Sequence, residues 1–144
     1  MQGSKKKGYA AKHGAAPPLD DDLARHLRQT AQDDQIDCET AHASATRLNL
    51  PPEAIGRTMD LLELRIVRCQ LGLFGYTPRK RVVTPAERIE AQVEAQIRNA
   101  LRDGRLPCAV AWVLADRNGM TRLELANVCQ ALKIKIANCQ LGAF

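Results

Sequence analysis

A chain of 144 residues with 45% apolar and only 3% aromatic side chains can bury one ordinary core or two small ones, and so few rings suit helix packing better than a β-sandwich. No apolar run is long enough to span a membrane, no apolar leader with a cleavage site follows the start, and five cysteines lack disulfide-dense spacing, so a cytoplasmic protein with no membrane partner is expected. The net charge of +5 divides into +4 over residues 1–16, −2 over 17–80 and +3 over 81–144, which assigns any phosphate-binding surface to the tail and the second half.

Residues 1–16 carry Lys5, Lys6, Lys7 and Lys12 among Gly, Ala and His, with no periodic apolar face, and read as a disordered basic tail. Leu19, Leu23, Leu27 and Ala31 then recur every four residues, one apolar stripe of a helix. Asp20-Asp21-Asp22 sits at its start, where acids complement the helix dipole. A helix ending near Asn49 follows, and Pro51-Pro52 opens the next. Leu62 to Ile66 alternates with a period of two, the pattern of a short strand.

A shift of 70 residues lays the chain on itself. Residues 36–74 pair with 106–144 without a gap, and eleven of 39 positions are identical. They include Cys38/Cys108, Ala45/Ala115, Cys69/Cys139 and the shared ending Cys-Gln-Leu-Gly-x-Phe. Average composition gives only about two or three matches by chance. Upstream, Ile89, Val93, Ile97 and Leu101 repeat the stripe of the first helix, with Thr84 expected as its N-cap, Pro85 in its first turn and Glu87 completing a capping box. The expected organisation is a tail at 1–16, one unit at 17–76, a linker at 77–83 and a second unit at 84–144.

In the second unit a helix from Pro107 to Asn118 meets Gly119, a residue suited to positive φ. Thr121 and Glu124 form a capping box for a helix whose stripe is Leu125, Val128, Cys129 and Leu132. Leu132 to Ile136 alternates again. The spacing of Ala115, Gly119, Leu125 and Val128, matched less well by Ala45, Asn49, Ile55 and Thr58, resembles the helix-turn-helix family. With the short strands, each unit looks like a winged-helix unit with an abbreviated wing. The expected fold is mainly α, two tandem pseudo-symmetric units.

The resemblance implies that residues 121–133 present a base-reading face to double-stranded DNA. Leu123, Asn127 and Gln130 lie opposite the buried stripe, flanked by Arg122 and Lys133; Asn and Gln can pair with adenine, Arg and Lys with guanine or phosphate. The alternative for this face is a solvated helix surface. Lys135, Arg57, Arg65, Arg68, Arg79, Lys80, Arg81 and the tail lysines Lys5, Lys6 and Lys7 complete the candidate phosphate contacts. The equivalent face of the first unit carries Glu53, Arg57 and Asp60 beside Glu63, which disfavours phosphate and suits a protein partner.

Two other functions compete with a DNA-binding regulator. One is a protein-interaction adaptor on the same fold, docking through that acidic face. The other is a metal or redox sensor in which Cys38, Cys69, Cys108 and Cys139 form a four-thiolate site. The absence of a close Cys-x-x-Cys pair favours small buried core residues instead, so no cofactor is expected. His13, His26 and His42 do not recur between copies, and no phosphate loop or nucleophile elbow is present, so no enzyme is expected.

Overall fold

A computed structural model describes residues 9–10 and 20–144. The chain is mainly helical and divides into two compact units, the first ending at Val67 and the second running from Arg68 to Phe144. The tail lysines Lys5, Lys6 and Lys7 lie outside the described residues.

The first unit contains α1 (Asp21–Thr30), β1 (Gln35–Asp37), α2 (Cys38–Leu48), α3 (Pro52–Leu61) and β2 (Arg65–Val67). Asp20 caps α1 by accepting the Leu23 N–H, and Asp37 caps α2 by accepting the Thr40 N–H. At the expected corner Asn49 takes the left-handed conformation, φ 55°, while the Leu50 N–H reaches back to the Ala45 carbonyl at 2.9 Å. That bond satisfies an orphan carbonyl at the helix end and lets α3 start at once from Pro51-Pro52. Leu27, Ala41, Ala45, Ile55 and Met59 make the core. Thr58, the weakest member of the stripe, stays buried because its hydroxyl donates to the Ala54 carbonyl at 2.8 Å.

The second unit repeats the plan with α4 (Ala91–Asn99), β3 (Leu106–Pro107), α5 (Cys108–Arg117), α6 (Arg122–Ala131) and β4 (Ile136–Ala137). Gly119 stands at the corner with φ 65°, and the Met120 N–H bonds the Ala115 carbonyl at 2.9 Å. The Thr121/Glu124 capping box is formed in both directions. Ala115, fully buried, allows α5 and α6 to pack closely, and Leu125, Val128 and Cys129 fill the interface with Ile97 and Leu106. Fully buried leucines of this kind each contribute about 1.5–3 kcal/mol.

Three expectations need correction. The alternating stretches do not begin as strands: Leu62 and Leu132 are helix C-caps, and Glu63 and Lys133 follow in the left-handed region at φ 57° and 59°. The Leu64 N–H bonds the Met59 carbonyl at 2.8 Å and the Ile134 N–H bonds the Cys129 carbonyl at 2.9 Å, so a helix-stop motif overrides the period of two. What pairing remains is parallel, Ile36 beside Ile66 and Leu106 beside Ile136; it is not the hairpin of a wing. Finally, α4 starts seven residues after Thr84, at Ala91, with no side-chain cap. Thr84, Pro85 and Glu87 lie in an irregular segment instead, because the Thr84 and Ala86 N–H groups are taken by α6.

Candidate nucleic-acid interface

The outward face of α6 is built as the periodicity requires, with Leu125, Ala126, Val128 and Cys129 turned inward. Opposite them, Leu123, Asn127 and Gln130 meet the unit's own chain. Asn127 Oδ1 accepts the Thr84 N–H at 2.9 Å, and the Asn127 carbonyl accepts the Ala86 N–H at 2.9 Å. Gln130 Oε1 accepts from Arg81 Nη2 at 3.1 Å. Leu123 lies against Gly72, where an added Cβ would stand 2.5 Å from Leu123 Cδ1. The covering segment is itself anchored: the Gly72 carbonyl accepts the Val82 and Val83 N–H groups at 2.9 and 3.1 Å, and Val83 is buried. Residues 68–83 therefore fold with the second unit, including the stretch read as a linker.

Arg122 is also engaged. Its guanidinium carbon lies 3.5 Å from the Trp112 ring centroid, a cation–π stack. Nη1 donates to Gln70 Oε1, and Nη2 stands 3.9 Å from Asp116. Trp112, which replaces His42 of the first copy, thus forms the seat of this arginine. The polar groups expected to read base edges are those that hold residues 70–86 in place.

The phosphate candidates fare differently. Arg79, Lys80, Arg81, Lys133 and Lys135 are all exposed, and no carboxylate pairs with any of them among the described residues. Arg81, Lys133 and Lys135 line one groove at the end of α6, so the cations of two distant stretches converge. Arg68 is exposed in the same unit. In the first unit Arg65 is exposed and Arg57 half-buried.

The acidic face of the first unit is largely internal. Asp60 is 5% exposed, and Glu63 accepts the Tyr9 and Ala10 N–H groups at 3.1 and 2.7 Å, leaving Glu53 as its one exposed carboxylate. Of the three carboxylates expected on that face, one is thus buried and one receives backbone N–H groups of the unit's own chain.

The cysteines divide between units, Cys38 in the first and Cys69, Cys108 and Cys139 in the second. Burial pushes the Cys69 and Cys108 thiols up, against the lowering effect of N–H groups directed at their sulfurs, Gln140 Nε2 at 3.5 Å from Cys108 Sγ among them. Cys129, in the α6 stripe, is pushed up to about 11 by burial. Among the described residues no three Cys, His, Asp or Glu side chains are gathered into a group able to hold a metal ion. The two Cys-Gln-Leu-Gly-x-Phe segments adopt the same turn: Gly72 and Gly142 N–H groups each bond the preceding cysteine carbonyl at 2.9 Å, and Phe74 and Phe144 meet edge to face at 6.0 Å.

Sequence reasoning missed the covering segment. Its signal was Val82-Val83, two β-branched apolar residues directly after Arg79-Lys80-Arg81, where a solvated linker has no use for them. Comparisons with protein-family models, curated proteins and solved structures gave no match.

Proposed function

We propose that the second unit binds nucleic acid, double-stranded DNA in the first instance, through its phosphate backbone while α6 stays covered. The observation that carries this reading is the exposed cation set Arg79, Lys80, Arg81, Lys133 and Lys135, none of which pairs with a carboxylate among the described residues. Cations neutralised internally cannot release counterions from DNA; these are free to do so. Because Asn127 and Gln130 are committed to the chain itself, base-edge contacts from α6 form no part of the proposal, and binding is tolerant of sequence.

Fluorescence anisotropy of a labelled duplex, titrated with the full chain across a salt series, tests it. Five phosphate contacts predict a log–log slope of roughly −4 to −5, and the variant Arg79→Gln/Lys80→Gln/Arg81→Gln should bring it to about −2. No binding at low salt, or an unchanged slope in the variant, refutes the proposal.

A further inference from the structure

At the Lys133 turn, the two copies share a backbone and differ in charge. Glu63 and Lys133 are equivalent residues with φ 57° and 59° at the same helix stop. In the first copy the Glu63 carboxylate receives the N–H groups of Tyr9 and Ala10, so that corner holds a piece of the unit's own chain. In the second copy Lys133 lines a half-open groove of about 440 Å³. Asp60, buried in the first copy, is replaced by Gln130, which holds the Arg81 guanidinium at 3.1 Å. The remaining rim group is Lys135. Leu73, Ala126, Ile134 and Ile136 supply the apolar lining, and among the described residues no carboxylate lines the groove.

From this charge reversal on a duplicated scaffold we infer that the groove binds a small organic anion, a carboxylate or phosphate monoester with an aliphatic body. The anionic end meets Lys133, Lys135 and the Arg81 guanidinium that Gln130 orients, and charge-assisted bonds of this kind are the strong ones. The aliphatic body covers Leu73, Ile134 and Ile136, which are only partly buried without it. A bare inorganic anion leaves that lining wet, and a neutral alkyl chain leaves the cations unpaired. The inference does not depend on the nucleic-acid reading, and its test contains no DNA.

The probe is octyl phosphate, titrated into the full-length ¹⁵N-labelled protein and followed by amide chemical shifts, with inorganic phosphate and sodium octanoate alongside. The expected result is saturable shifts confined to Leu73, Gln130 and residues 133–136, with inorganic phosphate binding at least tenfold more weakly than octyl phosphate. Lys133→Glu restores the first copy's charge in a conformation that Glu63 already adopts, and should weaken octyl phosphate at least tenfold; Lys135→Gln is the second variant and should weaken it severalfold. Shifts scattered over the surface, equal affinity for inorganic phosphate, or variants that bind as the parent does would each overturn the inference.

Discussion

Gly72 and Gly119 both stand in the left-handed region of the second unit, φ 76° and 65°, in different surroundings. Among the described residues a Cβ on Gly119 meets nothing within 4 Å, whereas one on Gly72 stands 2.5 Å from Leu123 Cδ1, 3.0 Å from Val82 Cγ2 and 3.2 Å from the Val83 nitrogen. Substitution to alanine costs both positions the left-handed penalty, roughly 1–2 kcal/mol. Leu123 can rotate away, but the Val83 nitrogen moves only if its bond to the Gly72 carbonyl moves with it, so Gly72→Ala adds an overpacking cost of about 1–3 kcal/mol. The sole tryptophan, Trp112, lies in this unit and reports its unfolding in urea. Gly72→Ala should fall below Gly119→Ala by about 2 kcal/mol, near 1 M in midpoint for an ordinary slope. Equal losses for the two glycines would refute the seating of residues 72–83 on α6.

Three further outcomes follow from named contacts. Asn127→Ala removes the acceptor of the Thr84 N–H and should cost about 1 kcal/mol in urea while leaving duplex affinity unchanged; a loss of affinity without loss of stability would restore the base-reading role. Thr121→Ala removes the capping box of α6 and should also cost about 1 kcal/mol, measured by thermal melting; no change would mean that the cap contributes nothing. Cys129 stays protonated in the folded state up to about pH 11, whereas in the unfolded chain it ionises near its ordinary value of 9.0. Stability contributed by the neutral thiol is therefore full below pH 9 and is lost as pH rises toward 11, on the order of 2 kcal/mol. Cys129→Ala should flatten the fall in stability over that window, and a slope equal to the parent's would refute the assignment.

What local chemistry decides was legible in the sequence. Asn49 and Gly119 turn the chain where a left-handed residue was required, Pro51-Pro52 and Thr121/Glu124 start their helices, and Leu125, Val128 and Cys129 face the core as their spacing demands. The errors arose where a distant partner outbid a local signal. Thr84, Pro85 and Glu87 are an adequate helix start, but Asn127, more than forty residues away, takes the backbone donors first. Leu132 to Ile136 alternates, yet the Ile134 N–H closes the helix end and uses up two residues of the pattern. The same cause separates the candidate site into two classes. Lysines and arginines on exposed corners were readable from charge alone, whereas the fate of Asn127, Gln130 and Arg122 depended on Trp112, Gln70 and residues 81–86, which no helical period relates to them.

Amide hydrogen exchange at Thr84 and Ala86, compared in the free protein and in the presence of saturating duplex, bears most directly on the proposed mode of DNA binding. With phosphates held by Arg79, Lys80, Arg81, Lys133 and Lys135, both amides should exchange slowly in the free state and as slowly or more slowly in the complex. Faster exchange at those two amides on DNA binding would mean that the segment lifts and α6 enters the groove, contradicting the account.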